Sequence, residues 1–156
     1  TALVLSGVTG PADLPDQNTA PDHLLADVGG LLDPPGPVVR PAATADPAAA
    51  ELLGGTGGGE RRWLVAVDAG QVVGAAALRP AGTLGLLDGP VVQEAWRGRL
   101  VGTRLVVAAC VEVRAAGLPA VAADAAAEPF LTRLGFNPAP AGAEASAARR
   151  LLVREL

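Results

Sequence analysis

Between about Leu100 and Ala116 the chain holds a helical stretch that is apolar nearly all the way round, with Val106, Val107, Ala109, Cys110 and Val111 spread over several faces. A surface helix shows one apolar stripe, so this one has to lie between a sheet and a cover. Gly117 stands where a left-handed residue ends a helix. A strand is expected before the helix, over Leu84–Val92, and another after it, over Val121–Ala123. A strand, a helix and a second strand of one sheet form a crossover, which points to a layered α/β domain with a mixed sheet.

The remaining elements fit that scheme. Trp63–Val67 and Val72–Leu78 read as strands joined by a hairpin at Asp68-Ala-Gly70-Gln71. Upstream of them, Val38–Arg40 is a brief strand, and Thr44 and Asp46 are N-cap candidates for a helix that has Pro47 just inside it and runs to Leu53. Gly54–Gly59 reads as a linker: it lacks the Gly-Lys-Ser/Thr ending of a phosphate loop and precedes a strand. Glu128–Leu134 is expected as a short helix, with Phe136 and Arg149–Arg154 supplying the last strands.

The first 35 residues have a different rhythm. Thr1–Leu5 reads as a strand ended by Ser6–Gly10, Pro11–Leu14 as one helical turn, and His23–Leu25 as a second strand. A short helix over Ala26–Leu32 follows. Asp33-Pro-Pro-Gly-Pro37 then stops any regular element, because proline lacks an N–H and fixes φ. A domain boundary is expected there, between residues 1–35 and 38–156.

Composition narrows the function classes. The chain is half apolar, mostly Ala, Val and Leu, with a formal net charge of −4 and scattered arginines, so it lacks the basic face of a nucleic-acid binder. It contains no window near the roughly 20 apolar residues of a membrane span, and no signal-peptide order at its start. One cysteine, Cys110, fits a reducing cytoplasm. The absence of Met predicts that Thr1 is not a natural start, so that the chain is a fragment or a processed product. The absence of Lys and the wealth of Ala, Gly, Pro and Val suggest a high-GC bacterial source.

Chemistry concentrates in Val91–Leu105, where a strand ends, an Arg/Gly-rich turn follows and a helix begins at once. A helix start offers unpaired N–H groups and the positive end of the backbone dipole. A diphosphate fits there where glycine lets the backbone come close. Arg97, Arg99 and Arg104 are expected to add positive charge around this turn.

Arg97-Gly98-Arg99-Leu100-Val101-Gly102 resembles the acyl-CoA signature of the GNAT N-acetyltransferases (Arg or Gln, two residues, Gly, one residue, Gly or Ala). Ala127-Glu-Pro-Phe130-Leu131-Thr-Arg-Leu134-Gly135-Phe136 resembles that family's second signature, and Val39–Asp46 its first strand and helix start. The resemblance implies an α/β (α+β) fold with a mixed central sheet flanked by helices. It also implies acetyl-CoA as co-substrate and direct attack of a neutral amine on the thioester. Around the cofactor turn it implicates Arg97, Gly98, Arg99, Val101, Gly102 and Thr103, with the N–H groups of Val91 and Val92 polarising the thioester carbonyl. Alternation places Asp88 on one face of its strand, subject to a distortion at Pro90, as the general-base candidate; a turn or edge carboxylate is the alternative. Leu100 stands at the signature's first glycine, where a helical φ is allowed to leucine, and Leu131 at the Tyr that often protonates the thiolate. Asp124 replaces a frequent Asn, and the stretch 54–62 is too short for the usual second helix.

Ala2–Gly10, Asp13-Leu14, Pro21–Leu25 and Gly30–Leu32 resemble the last strands and helix of a haloacid-dehalogenase-type phosphatase acting on small sugar and polyol phosphates. This implies a phosphatase domain upstream of Thr1 as in glycerol-3-phosphate phosphatase fusions, with its nucleophilic Asp and its magnesium-holding carboxylates outside the chain. The carboxyl-terminal domain is then either an acetyltransferase or a silent module that stabilises or regulates the phosphatase. Homo-oligomerisation and the acceptor stay open. His23 is expected to be solvated or packed, Trp63 and Trp96 to pack, Cys110 to be an inert core thiol, and Arg149-Arg150 to lie on a solvated edge. With one His and one Cys there is no zinc set and no triad.

Overall fold

The computed structural model describes residues 2–5, 10–16, 18–27, 36–42, 46–55, 60–139 and 151–156. Nine strands and three α-helices occur among them: β1 (Ala2–Val4), β2 (His23–Leu25), β3 (Val38–Ala42), α1 (Pro47–Leu52), β4 (Arg62–Asp68), β5 (Gln71–Ala81), β6 (Leu84–Val92), α2 (Val101–Ala115), β7 (Ala120–Asp124), α3 (Glu128–Arg133), β8 (Asn137–Pro138) and β9 (Leu151–Glu155). Strands β3 to β9 form one sheet in the order β3-β4-β5-β6-β7-β9-β8, while β1 and β2 pair in parallel by themselves. Neighbours in the large sheet are antiparallel except β6 and β7, which α2 connects as a crossover. The mixed sheet read from the sequence is therefore present.

Local chemistry accounts for most boundaries. Asp46 caps α1, its Oδ1 accepting from the N–H of Ala48 at 2.9 Å and of Ala49 at 3.4 Å, a cap that contributes about 1 kcal/mol. The β4–β5 turn places Ala69 at φ 44° and Gly70 at φ 82° between the paired residues Asp68 and Gln71. Positive φ at both central residues suits the right-handed twist of the strands. Gly117, at φ 71°, closes α2, with the N–H of Leu118 bonded to the carbonyl of Val113 at 3.1 Å.

The core has two faces. On one, α2 packs on Leu64, Ala66, Ala76, Leu78, Leu87, Val121 and Ala123. On the other, α1 packs through Ala49 on Trp63, Val65, Ala75 and Ala77. Glycine lets α2 come close: a β-carbon at Gly85 would overlap Val113, and one at Gly74 would press on Val101 at 3.2 Å and Leu105 at 3.3 Å. The outer side of α2 is covered by the amino-terminal segment, where Leu14 and Leu24 bury Val107 with Leu3 and Leu5 packed against them. This cover explains why the helix is apolar on nearly every side.

Several expectations fall outside the described residues: Thr44 as a cap, 56–59 of the linker, most of the helix expected over Ala26–Leu32, and the Arg149-Arg150 edge. Among the described residues no second helix stands between α1 and β4.

Candidate functional site

Strand β6 creates the site by leaving its neighbour. It pairs with β7 only from Leu84 to Leu87 and then runs on to Val92 without it. Opposite β5, the register passes from Ala77–Asp88 to Ala75–Val91, so Gly89 and Pro90 face Ala76 alone. Such a bulge bends a strand and re-aims its end. A cavity of about 550 Å³ opens where the two strands separate.

The walls of the cavity come from four places. Pro90, Val91 and Val92 form one side; Trp96, Arg97, Gly98 and Leu100 form the turn; Val101, Gly102 and Thr103 form the start of α2. Facing them are Ala127, Phe130, Arg133 and Leu134, with Leu5 and Pro11 at the rim. The N–H groups of Val101, Gly102 and Thr103 lack the i−4 acceptor that later helix residues have, and the first amide of the regular ladder is Arg104, bonded to the carbonyl of Leu100 at 3.0 Å. A β-carbon at Gly102 would meet ordinary contacts, 3.5 Å to Phe130 and 3.7 Å to Pro90 and Val92, so Gly102 sits in contact distance of three lining side chains. Arg97 donates through Nε to the carbonyl of Val92 at 3.3 Å, which ties the turn to the strand end.

Of the residues singled out from the sequence, Val91, Val92, Arg97, Gly98, Val101, Gly102 and Thr103 thus line one cavity. Arg99 does not line it; its guanidinium stacks over Trp96 with 5.2 Å to the ring centroid. Trp96, expected only to pack, is part of the cavity wall. Asp88 lies away from it. Its Oδ2 is 3.2 Å from Arg61 Nη1 and 3.6 Å from Arg79 Nε, and its cross-strand partner Ala77 belongs to the α1 face.

Two local readings are corrected. The helical φ that is allowed to leucine is not the one Leu100 takes: it sits at φ 59°, ψ 9°, left-handed, as the N-cap of α2. The turn requires that geometry where the signature has glycine, and leucine meets it at a cost of roughly 1–2 kcal/mol. Arg104 adds no charge to the turn. It is 5% exposed and points away, its Nη1 donating to the carbonyl of Pro37 and its Nη2 to that of Asp22; burial lowers its pKa, with Asp22 opposing the shift. Leu131 is fully buried in the main core, and Phe130 is the residue of that pair facing the cavity. Asp124 caps the turn after β7, accepting from the N–H of Ala126 at 2.8 Å.

Sequence reasoning missed Arg133, Phe130 and the rim residues Leu5 and Pro11. The periodicity of α3 carries a signal for Arg133, three residues beyond Phe130, whereas nothing local announces that residues 5 and 11 reach the same place. Among the described residues, the titratable side chains lining the cavity are Arg97 and Arg133, and the one hydroxyl is that of Thr103. Such a lining holds anions and apolar chains. Among the described residues no group of three or more His, Cys, Asp or Glu is disposed to hold a metal, and no helix is long and apolar enough to cross a membrane.

Comparison with known proteins identifies the fold and the family. No curated protein matches the sequence. Solved structures share the fold at low identity. Rv2747 from Mycobacterium tuberculosis, in complex with CoA, is 22% identical over 77% of this chain and 99% of its own, with a TM-score of 0.63. The N-acetylglutamate synthase of Neisseria gonorrhoeae, complexed with coenzyme A and N-acetyl-glutamate, is 18% identical over 86% of this chain and 42% of its own, with a TM-score of 0.66. A GNAT-family acetyltransferase from Staphylococcus aureus is 18% identical, covering 62% and 68% of the two chains, at a TM-score of 0.54. The model of the acetyltransferase (GNAT) domain matches residues 59–138, just over half of the 156, a span holding the β6 bulge, the cofactor-type turn and α3. The chain belongs to the GNAT acetyltransferase family.

Proposed function

We propose that the cavity between β6 and the start of α2 binds acyl-CoA, and that the domain serves acetyl-CoA-dependent N-acetyl transfer. The observation that carries this reading is that the start of α2 and two guanidinium groups, Arg97 and Arg133, line one cavity whose remaining described walls are mostly apolar. The amides of Val101, Gly102 and Thr103, with the two guanidinium groups, suit a diphosphate. Pro90, Val91, Val92 and Phe130 suit the uncharged arm. The structures solved with CoA support the same assignment.

Acyl-CoA supplies the activated thioester when bound. The amine nitrogen forms the new bond to the acyl carbon as the carbon–sulfur bond breaks, and the thiolate takes up a proton as the nitrogen loses one. On this reading the N–H groups of Val91 and Val92, residues that line the cavity, polarise the acyl carbonyl. Asp88 is the nearest carboxylate on β6, and a water relay would be needed for it to take the amine proton.

A second reading is favoured by one observation: among the described residues the cavity lining has no carboxylate, His, Cys or Tyr, and Asp88 is engaged by Arg61 and Arg79. On that reading the domain binds acyl-CoA without transfer and serves an attached protein. Residues 1–35 as the tail of a haloacid-dehalogenase-type phosphatase, separate in origin from 38–156, belong to the same proposal. It is supported by their resemblance and by the parallel β1–β2 pair. An Asp-x-Asp motif encoded upstream of Thr1 is expected.

Calorimetry with CoA and acetyl-CoA tests the binding claim. At a hundredfold excess over Kd, ligand stabilises the fold by about 2.7 kcal/mol, so melting should rise by roughly 5–10 °C. Arg97→Ala and Arg133→Ala should each weaken binding about fivefold, since one exposed ion pair contributes on the order of 1 kcal/mol, and the loss should shrink with added salt. Folded wild-type protein that ignores both ligands would end the proposal. Thiol release with a panel of amines then separates transferase from silent binder.

A further inference from the structure

The segment that covers α2 also reaches the cavity. Leu5 and Pro11 stand at its rim, and Leu100, at the turn, packs against the cluster in which Leu14 and Leu24 bury Val107. Leu100 is therefore both a cavity residue and an anchor for the amino-terminal cluster of Leu3, Leu5, Leu14 and Leu24. One turn along the helix, the buried Arg104 donates to the carbonyls of Asp22 and Pro37. Further on, Arg114 Nη2 donates to the carbonyl of Pro15 at 3.0 Å. A second route runs through Arg154: its Nη2 pairs with Asp16 Oδ1 at 2.6 Å and its Nη1 donates at 2.8 Å to the carbonyl of Leu134, itself a wall residue.

We propose that the described amino-terminal residues around Leu5, Pro11, Leu14 and Leu24 are a wall of the acyl-CoA site, docked through Leu100, so that filling the cavity and docking this segment are thermodynamically linked. The proposal rests on the acyl-CoA reading above. Its physical basis is the shared residue: a ligand lying along the Leu100 turn fixes the conformation on which Leu14 and Leu24 seat. Linkage of this kind is reciprocal: the factor by which ligand strengthens docking is the factor by which docking strengthens the ligand, so undocking the segment weakens the ligand by up to that factor. Leucine at a left-handed position fits this role, because glycine there would relax the turn and leave the segment without its anchor. Anything joined to the amino terminus then senses the loading of the site.

The test is hydrogen exchange of the whole chain with and without CoA, read at the amides of β1, β2 and Leu5, whose N–H bonds the carbonyl of Leu25 at 2.9 Å. Saturating CoA should slow exchange of this segment about tenfold. Leu14→Asp should free the segment and weaken CoA about tenfold while amides at Val106–Cys110 stay protected; Leu24→Ala, a milder change, should do the same in part if Leu14→Asp fails to fold. CoA binding with unchanged segment exchange overturns the linkage alone, as does a freed segment in Leu24→Ala with wild-type affinity. Absence of CoA binding by the wild-type chain overturns the reading of the cavity and the linkage with it.

Discussion

Leu100 offers the sharpest measurement on this site, because its backbone and its side chain act in opposite directions. Its left-handed φ costs roughly 1–2 kcal/mol relative to an ordinary conformation. Its side chain is half-buried against the Leu14–Leu24 cluster, and half of the 1.5–3 kcal/mol gained by burying a leucine fully is about 0.8–1.5 kcal/mol. Leu100→Ala removes that packing and keeps a β-carbon on the strained backbone, so unfolding free energy should fall by about 0.8–1.5 kcal/mol. Leu100→Gly loses the same packing, removes the strain and adds about 0.5–1 kcal/mol of unfolded-state entropy cost. It should therefore end within about 1 kcal/mol of wild type and above the alanine variant. Urea unfolding of the three proteins measures the order directly. An alanine variant as stable as the glycine variant, or more so, would refute a left-handed residue at this turn and the explanation of why a leucine there needs a partner segment.

Two further outcomes test the packing around the site. Gly85→Ala drives a methyl into Val113 and should cost about 1–3 kcal/mol, a fall in melting temperature of several degrees; adding Val113→Ala should recover part of it, and strictly additive losses would contradict the contact. Burial, against the smaller opposing effect of Arg154 and Arg114, pushes the Cys110 thiol up to about 12. The thiolate is the reactive form, so alkylation of the folded protein near neutral pH should be slower than that of the denatured chain by roughly a thousandfold, and rapid labelling of the folded state would place Cys110 outside the core.

How much of this was legible in the sequence differs from residue to residue. The β4–β5 hairpin followed from Asp68-Ala-Gly70-Gln71, the end of α2 from Gly117 and the start of α1 from Asp46-Pro47, because each rests on contacts within a few residues. The cofactor-type turn was legible too: strand end, Arg97-Gly98 and helix start are contiguous, and seven of the expected residues line one cavity. Arg133 and Phe130 escaped because their aim depends on how α3 lies against β6, which is a matter of packing between elements distant in the chain.

By itself, then, the sequence determined the elements, their order and the presence of an anion-binding corner, since hydrogen-bonding patterns and φ preferences act over three or four residues. Tertiary structure decided which surfaces those elements share. It turned Arg104 away from the corner to meet the carbonyls of Asp22 and Pro37, set Asp88 between two arginines, and forced Leu100 into a left-handed turn. It also laid Leu3, Leu5, Leu14 and Leu24 over the outer side of α2 at Val107. The common reason is burial: apolar faces and buried guanidinium groups must find partners wherever the folded chain brings them, and sequence distance does not enter that requirement.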